Sequence, residues 1–198
     1  MRTPSSTIKN IAIFASGSGS NAKKIMEHFE GHPHIRVALV VTNRSGADVL
    51  AHAEAHNVPT LHVKKATFYE TTEILENFNK YSIDFLVLAG FLLLIPRYLV
   101  QSYPHHILNI HPALLPKFGG KGMYGMNVHR AVKAANETRT GMTIHWVNEQ
   151  YDEGGILFQA SCPVHPQDQP EDIAKRVLQL EHRHYAEVIE QAITDLFS

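Results

Sequence analysis

Two polar residues stand at the end of an apolar run in the middle of the chain. The run Ile107–Ile110 predicts a strand that carries Asn109, continues into His111 and ends at Pro112. Because residues two apart share one face of a strand, the Asn109 amide and the His111 imidazole are expected to lie side by side. An imidazole moves protons near neutral pH, and an amide N–H stabilises a developing oxyanion. The pair alone is explained as well by strand-end polar groups that bond to neighbouring backbone.

A carboxylate for this pair is expected from the acidic, turn-rich segment 150–155. Asp152 is the candidate, because a carboxylate near His111 would stabilise the imidazolium and raise the pKa of His111. Nucleophilic alternatives find no support: the chain has no Gly-x-Ser-x-Gly elbow, and its single cysteine, Cys162, has no activating neighbour in the sequence. Asn109, His111 and Asp152 therefore predict acyl transfer straight from a donor to an acceptor, without a covalent enzyme intermediate.

A glycine- and serine-rich turn near the N-terminus is suited to holding a phosphate. The segment 16–21 follows a predicted strand and precedes a predicted helix. Strand, glycine turn and helix N-terminus together present backbone N–H groups to an anion. Ser20 and Asn21 are expected to cap the helix and to offer hydrogen-bond donors. The turn matches neither the Walker A pattern nor a complete Gly-x-Gly-x-x-Gly, so a plain tight turn stays the alternative.

The elements that position these residues follow from hydrophobic periodicity. Continuous apolar runs predict buried strands, and the amphipathic stretches between them predict helices. Strands are predicted at 8–15, 35–42, 61–63, 83–89 and 107–111, and helices at 22–29, 46–57, 67–80 and 96–102. This alternation predicts right-handed βαβ crossovers and an α/β fold with a mostly parallel central sheet flanked by helices.

The chain changes character after residue 116. A helix is predicted at 128–135, a C-terminal strand pair at 140–147 and 156–164, and a long helix at 169–196. In the long helix, Glu181 is expected at the edge of a core-facing stripe formed by Val177, Leu180, His184 and Val188.

The glycine-rich segment 117–125 is too irregular for a helix or a strand. Such a segment is either a flexible connection or a cover that closes over a ligand. Lys121 and Tyr124 are expected to decorate this cover rather than to contact ligands.

Composition and charge narrow the function classes. The 198 residues are expected to form a single domain, 1–198, in which residues 1–7 are a disordered tail. The formal net charge of −1 gives no electrostatic case for a nucleic-acid partner, and the apolar run 85–96 is too short to span a bilayer as a helix. One cysteine and the absence of a secretory signal pattern favour a cytoplasmic protein, expected as a monomer or a weak homodimer.

No metal site is predicted. His52 and His56 have the i, i+4 spacing of a helical metal pair, but they lie in an alanine-rich segment without a His-Glu-x-x-His pattern. A solvated helix face is the favoured explanation of both histidines.

The motifs together resemble one enzyme family. They are Ser16–Asn21, Val87–Phe91, Leu108–Lys117, Gly141–His145, Tyr151–Asp152 and Leu180–His182. Over nearly its whole length the chain resembles the phosphoribosylglycinamide formyltransferases of purine synthesis. These enzymes pass the formyl group of 10-formyltetrahydrofolate, their co-substrate, to the amine of phosphoribosylglycinamide. The resemblance implies a Rossmann-like formyltransferase fold.

The resemblance also implies a role for each candidate residue. His111 would be the acid/base group and stabilise the tetrahedral intermediate, Asn109 would hold the formyl oxygen, and Asp152 would pair with His111. The residues implied for phosphoribosylglycinamide are Gly19, Ser20, Asn21 and Glu181. Those implied for the folate are Leu92, Leu93, Leu94, Ile95, Asn109, Tyr151 and Asp152.

Three departures from the family pattern affect the folate tail and the cover. Leu93 stands where some members carry an arginine, and the segment around Thr71 lacks another, so Lys64 or Lys65 are candidate substitutes. The segment Gly119–Met126 is several residues longer than in familiar members.

Three other functions are weighed against formyl transfer to a ribonucleotide. Formyltetrahydrofolate deformylase and methionyl-tRNA formyltransferase share the Asn, His and Asp, but each carries a further domain for which this chain is expected to have no room. A non-catalytic phosphosugar- or folate-binding module would not need an acid/base pair in its pocket.

Overall fold

A computed structural model describes residues 8–197, so the tail expected at residues 1–7 lies outside the described residues. The strands are β1 (Lys9–Phe14), β2 (Ile35–Thr42), β3 (Thr60–His62), β4 (Ile83–Leu88), β5 (Ile107–His111), β6 (Arg139–Trp146) and β7 (Ile156–Pro163). The helices are α1 (Ser20–Phe29), α2 (Val49–Ala55), α3 (Lys65–Glu70), α4 (Glu73–Lys80), α5 (Arg97–Ser102), α6 (Met126–Ala134) and α7 (Pro170–Phe197).

The strands form one seven-stranded sheet in the order β3-β2-β1-β4-β5-β6-β7. The first five strands in the chain pair in parallel, because a helical crossover follows each of the first four. The pairings β5–β6 and β6–β7 are antiparallel. The expected α/β fold with a mostly parallel sheet, a C-terminal strand pair and a long helix is therefore confirmed.

Side-chain alternation in β1 creates two hydrophobic cores, one on each face of the sheet. Ile11 and Ile13 point into the core covered by α1, α2, α6 and α7. Ala12 and Phe14 point into the core covered by α3, α4 and α5. Both faces of the central strands are thus buried, as their continuous apolar runs predict.

The long helix α7 crosses one face of the sheet and is anchored by a buried hydroxyl. Tyr185 Oη donates to the carbonyl oxygen of Leu88 at 2.8 Å, and the carbonyl oxygen of Leu108 lies 3.4 Å away. The core-facing stripe predicted for this helix is wrong, because the helix is rotated about its axis relative to the prediction. Val177 is buried as expected, but Glu181 and Tyr185 continue the buried row while Leu180, His184 and Val188 are only partly buried.

Two local predictions are also wrong. The helix expected at 67–80 is broken at Thr71 and Thr72, where Thr71 takes an extended backbone conformation. Its hydroxyl donates back to the carbonyl oxygen of Thr67, and such side-chain bonds compete with helix propagation. Helix α1 begins at Ser20, so neither Ser20 nor Asn21 caps it: the N-cap is Gly19, which has no side chain, and Asn21 donates to Glu181.

None of the helices in residues 8–197 is both long and apolar enough to cross a bilayer.

Gly141 on β6 provides a test of how closely the two C-terminal strands approach. A Cβ at this position would lie 1.9 Å from the carbonyl oxygen of Ala160 on β7, which is backbone that cannot move aside. We expect Gly141→Ala to lower the free energy of unfolding by about 2 kcal/mol or more, as overpacking does. Urea denaturation followed by circular dichroism measures this loss.

Gly46→Ala is the matched control, since nothing lies within 4 Å of the added Cβ. Its free energy of unfolding should stay within about 0.5 kcal/mol of the wild type. Equal urea midpoints for the two variants would contradict the packing described for β6 and β7.

Candidate active site

The antiparallel pairing of β5 with β6 places four polar side chains in two adjacent rows. Asn109 lies opposite His145, and His111 lies opposite Thr143. The side chains of Asn109 and His145 bond directly across the strands, with Asn109 Nδ2 3.0 Å from His145 Nε2. The expected neighbourhood of Asn109 and His111 is thus extended by a second histidine from the next strand.

His111 is buried, and both of its ring nitrogens have partners. Nε2 lies 2.8 Å from the carbonyl oxygen of Phe118. Because a carbonyl only accepts hydrogen bonds, Nε2 carries the proton of the neutral ring and Nδ1 does not. Nδ1 lies 3.4 Å from Oδ2 of Asp152, so the carboxylate would hold any proton that Nδ1 takes up.

Asp152 joins the two histidines to the glycine-rich loop. Its Oδ2 accepts a hydrogen bond from the backbone N–H of Gly120 at 2.9 Å. Its Oδ1 lies 3.5 Å from Nε2 of His145 and 3.4 Å from Nδ2 of Asn109. The sequence-predicted pairing of Asp152 with His111 is therefore present, and the carboxylate contacts three further groups.

Burial sets the pKa of His111. The loss of solvent lowers it below the ordinary value, although Asp152 and the Phe118 carbonyl act to raise it. Asp152 thus acts in the expected direction, but the cost of burying an imidazolium exceeds its stabilisation by the carboxylate, so the net pKa falls. His111 is consequently neutral at pH 7 and able to accept a proton at Nδ1.

Asp152 shows the opposite balance. Burial alone would raise the pKa of this carboxyl, but the nearby His111 ring and the hydrogen bond from the Gly120 N–H act to lower it, and the net pKa lies below the ordinary value. Asp152 is therefore ionised at pH 7 and supplies the negative charge of the site.

Thr143 fixes the backbone that leaves β5. Its hydroxyl donates to the carbonyl oxygen of Ala113 at 2.6 Å and accepts from the N–H of Leu115 at 3.0 Å. Gln159 on β7 donates to both the Thr143 hydroxyl and the Leu115 carbonyl oxygen. These bonds hold the chain in place between His111 and the loop that covers it.

One cavity of about 790 Å³ adjoins these groups, and it is lined by every residue predicted for the catalytic, acceptor and folate sites except Lys64 and Lys65, the candidates for the folate tail. At one part of its wall, Gly19 precedes α1 with a positive φ of 68°, and Asn21 Nδ2 donates to Oε2 of buried Glu181 at 2.6 Å. The buried Oδ1 of Asn21 has no hydrogen-bond partner among residues 8–197. It is an acceptor that remains for a ligand.

The segment after β4 forms another part of the cavity wall. Residues 92–95 line it together with Tyr151 and Val147. The Leu92 N–H donates to the Ser16 hydroxyl at 3.0 Å, and the Tyr69 hydroxyl donates to the carbonyl oxygen of Leu94 at 3.0 Å. This wall is mostly apolar and can hold a flat aromatic ligand.

Comparison with known proteins identifies the family. The profile of the formyl transferase family matches residues 9–189. The chain belongs to the formyl transferase family. A phosphoribosylglycinamide formyltransferase from Bacillus subtilis is 35% identical over 94% of this chain and 95% of its own length.

One further sequence relative and one solved structure are also similar to this formyl transferase. A chloroplastic phosphoribosylglycinamide formyltransferase from Arabidopsis thaliana is 46% identical over 91% of this chain, which spans 64% of that relative's length. The crystal structure of glycinamide ribonucleotide transformylase 1 from Symbiobacterium toebii superposes with a TM-score of 0.83 at 34% identity. That superposition covers 92% of this chain and 86% of the other.

Sequence reasoning missed three contributors to the site of this formyl transferase. His145 lies in the strand predicted at 140–147, where its alternation with Thr143 and Gly141 indicates a shared strand face but not a place in the site. His129 on α6 is buried and lines the cavity, and burial lowers its pKa. The backbone of Phe118 and Gly120 bonds to the catalytic candidates, and no sequence signal reports such main-chain contacts.

Metal ligation finds no support in the described ranges. Residues 8–197 contain no group of three His, Cys, Asp or Glu side chains arranged to hold a metal ion.

His145 is expected to position Asn109. Its Nδ1 lies 2.9 Å from the carbonyl oxygen of Trp146, which fixes the neutral ring with the proton on Nδ1 and a lone pair on Nε2. That lone pair accepts from Asn109, so His145→Leu should leave the amide unaligned and lower kcat for formyl transfer by up to about a hundredfold. Steady-state kinetics measures this, with KM for both substrates nearly unchanged.

His145→Gln is the matched variant, because its amide oxygen can accept the same hydrogen bond. It should recover a large part of kcat, while His145→Leu should not. If both variants turn over equally, the tautomer of His145 has no role in orienting Asn109.

Glu181 is expected to make stability depend on pH. Burial raises its pKa from 4.5 to about 7, and the hydrogen bond from Asn21 offsets part of the rise. Between these pH values the unfolded chain is ionised while the folded chain keeps the proton, so this group lowers stability as pH rises. The loss should approach about 3 kcal/mol near pH 7.

Glu181→Gln removes this titration while keeping an oxygen that accepts from Asn21. Urea denaturation at pH 5 and pH 7.5 should show the variant gaining stability relative to the wild type at the higher pH. A stability difference that is the same at both pH values would contradict a buried, protonated Glu181.

Proposed function

We propose that this protein is a phosphoribosylglycinamide formyltransferase that uses 10-formyltetrahydrofolate as its donor. The observation that carries the proposal is the Asn109, His111 and Asp152 cluster within one cavity that has two chemically different walls. One wall offers a helix N-terminus, an amide and a buried carboxyl, and the other is apolar. Such a cavity suits a phosphosugar and a folate placed on either side of a proton-transfer group.

The protonation states of His111 and Asp152 support direct transfer of the formyl group. The acceptor amine attacks the formyl carbon, and neutral His111 takes a proton at Nδ1, beside Asp152 Oδ2. His111 then gives a proton to the folate nitrogen that leaves, so the enzyme returns to its starting state. Ionised Asp152 stabilises the imidazolium during the interval.

Asn109 is suited to stabilise the tetrahedral intermediate. One of its N–H groups is committed to His145, but the other makes only a long 3.4 Å contact with Asp152 Oδ1. That second N–H is the donor that turns to the formyl oxygen as it gains charge. Loss of such a donor typically costs about 10²–10³ in kcat.

The acceptor is proposed to bind along α1 and α7. The backbone of Gly19 and the first N–H groups of α1, at Ser20 and Asn21, face the phosphate. Adding a Cβ at Gly19 would place it 2.5 Å from Cβ of Val49, so glycine is required there. Glu181, whose pKa burial raises to about 7, and Asn21 Oδ1 offer hydrogen bonds to ribose hydroxyls.

The donor is proposed to bind along Leu92, Leu93, Leu94 and Ile95. The backbone of this segment offers hydrogen bonds to the pteridine, and Tyr151 covers the ring. The glutamate tail would leave past Tyr151, which is 39% exposed. We assign no metal to the reaction, and we place the protein in a reducing compartment such as the cytoplasm because its one cysteine is buried and unpaired.

The decisive experiment follows formyl loss from 10-formyl-5,8-dideazafolate by absorbance, with and without phosphoribosylglycinamide. Turnover only in the presence of the acceptor is the expected result. Equal formyl loss without the acceptor would mean a deformylase, and binding without turnover would mean a non-catalytic module. Either of these outcomes would overturn the proposal.

His111→Ala and Asp152→Asn are expected to separate chemistry from binding. Each should lose at least about a hundredfold in kcat, because the proton has no acceptor or the imidazolium has no counter-charge. Both variants should still bind phosphoribosylglycinamide in calorimetry with an affinity close to that of the wild type. Near-normal turnover by either variant would remove that residue from the mechanism.

A further inference from the structure

The charges around the cavity are unbalanced for the ligands it is proposed to bind. Ionised Asp152 lines it, and both proposed substrates are anions. Of the described residues that line the cavity, Lys121 is the only lysine or arginine. Any permanent positive charge that the wall presents to a bound anion therefore comes from this side chain.

Backbone geometry places Lys121 at a fixed corner of the glycine-rich loop. The N–H of Met123 donates to the carbonyl oxygen of Gly120 at 3.1 Å, and Gly122 has a φ of 89°. This is the arrangement of a type II turn, with Lys121 at its second position and glycine required at its third. The turn starts at Gly120, whose N–H is bonded to Asp152, so Lys121 follows directly after an anchored residue.

The Lys121 ammonium group is not committed to another part of the protein. Within residues 8–197 no carboxylate lies within 4.0 Å of it, whereas Lys117 in the same loop pairs with Glu137 at 2.8 Å. Lys23 and Lys24, which lie close to the phosphate turn in sequence, both pair with Glu27. An unpaired cation at a cavity wall is available for a ligand.

The position of the loop in the chain favours a contact of Lys121 with the acceptor rather than with the folate. The loop leads into α6, α6 packs against α7, and α7 contributes Ala174, Leu178 and Glu181 to the wall. None of these three side chains is a cation, so α7 brings no positive charge to the phosphate. His129 on α6 lines the same wall with its buried Nδ1 unpartnered among the described residues, which marks this wall as polar.

We propose that Lys121 binds the phosphate of the acceptor and thereby determines specificity for a phosphorylated substrate. The proposal rests on the proposed function, because it takes phosphoribosylglycinamide as the acceptor. It assigns a ligand contact to a residue that the sequence alone indicates only as loop decoration. The physical basis is a charge-assisted hydrogen bond from the ammonium group to a phosphate oxygen.

Lys121→Met tests this contact in the full-length protein. The KM for phosphoribosylglycinamide should rise about tenfold, as expected for one hydrogen bond to a charged group, with kcat and the KM for the folate donor little changed. Lys121→Arg should restore most of the affinity. Lys117→Met, in the same loop but outside the cavity lining, should behave like the wild type.

Two modified substrates decide which anion Lys121 meets. With the dephosphorylated acceptor, glycinamide riboside, wild type and Lys121→Met should have equal KM values. With a donor that lacks the glutamate tail, the tenfold difference in KM for the phosphorylated acceptor should persist. A difference that instead vanishes with the tail-less donor would assign Lys121 to the folate and overturn the proposal.

An unchanged KM for phosphoribosylglycinamide in Lys121→Met would also overturn it. Failure of the proposed function itself is distinguishable, because wild-type protein would then show no acceptor-dependent turnover in the first place.

Discussion

The active-site geometry depends on the change from parallel to antiparallel pairing at β5. A β6 that ran parallel to β5 would pass it in the opposite direction and would pair different residues with Asn109 and His111. The antiparallel β6 instead brings His145 directly opposite Asn109 and Thr143 opposite His111. The β5–β6 register thus orients the Asn109 amide through His145. It also places Thr143 beside His111, and the Thr143 hydroxyl holds the chain that follows β5.

Asp152 connects the paired strands β5 and β6 to the glycine-rich loop. Its two oxygens meet groups from β5, from β6 and from the loop after Phe118, so one carboxylate connects three segments far apart in the sequence. The neutral state of His111 and the ionised state of Asp152 follow from the same burial, opposed by different numbers of contacts. The acid/base pair is therefore set by its surroundings rather than by residue type alone.

Much of this arrangement could be predicted from sequence, because periodicity reports on faces of strands. The neighbourhood of Asn109 and His111 follows from a spacing of two, and Asp152 follows from the need for a charge beside an imidazole. The burial of Glu181 could not be predicted in this way. The apolar residues around Glu181 predict that one face of α7 packs on the sheet, but the face that packs there includes Glu181 and Tyr185. The pKa of His111 likewise depends on burial by distant residues, which local sequence does not report.

The loop that covers the site bonds to the proton-transfer groups near its beginning. Phe118 and Gly120 bond to His111 and Asp152, whereas a Cβ added at Gly120, Gly122 or Gly125 would meet nothing within 4 Å. The part of the cover after Gly120 therefore has space for larger side chains at these glycine positions, away from the proton-transfer groups. Substitutions in this later part of the loop can therefore change which substrates bind while the proton-transfer groups stay in place.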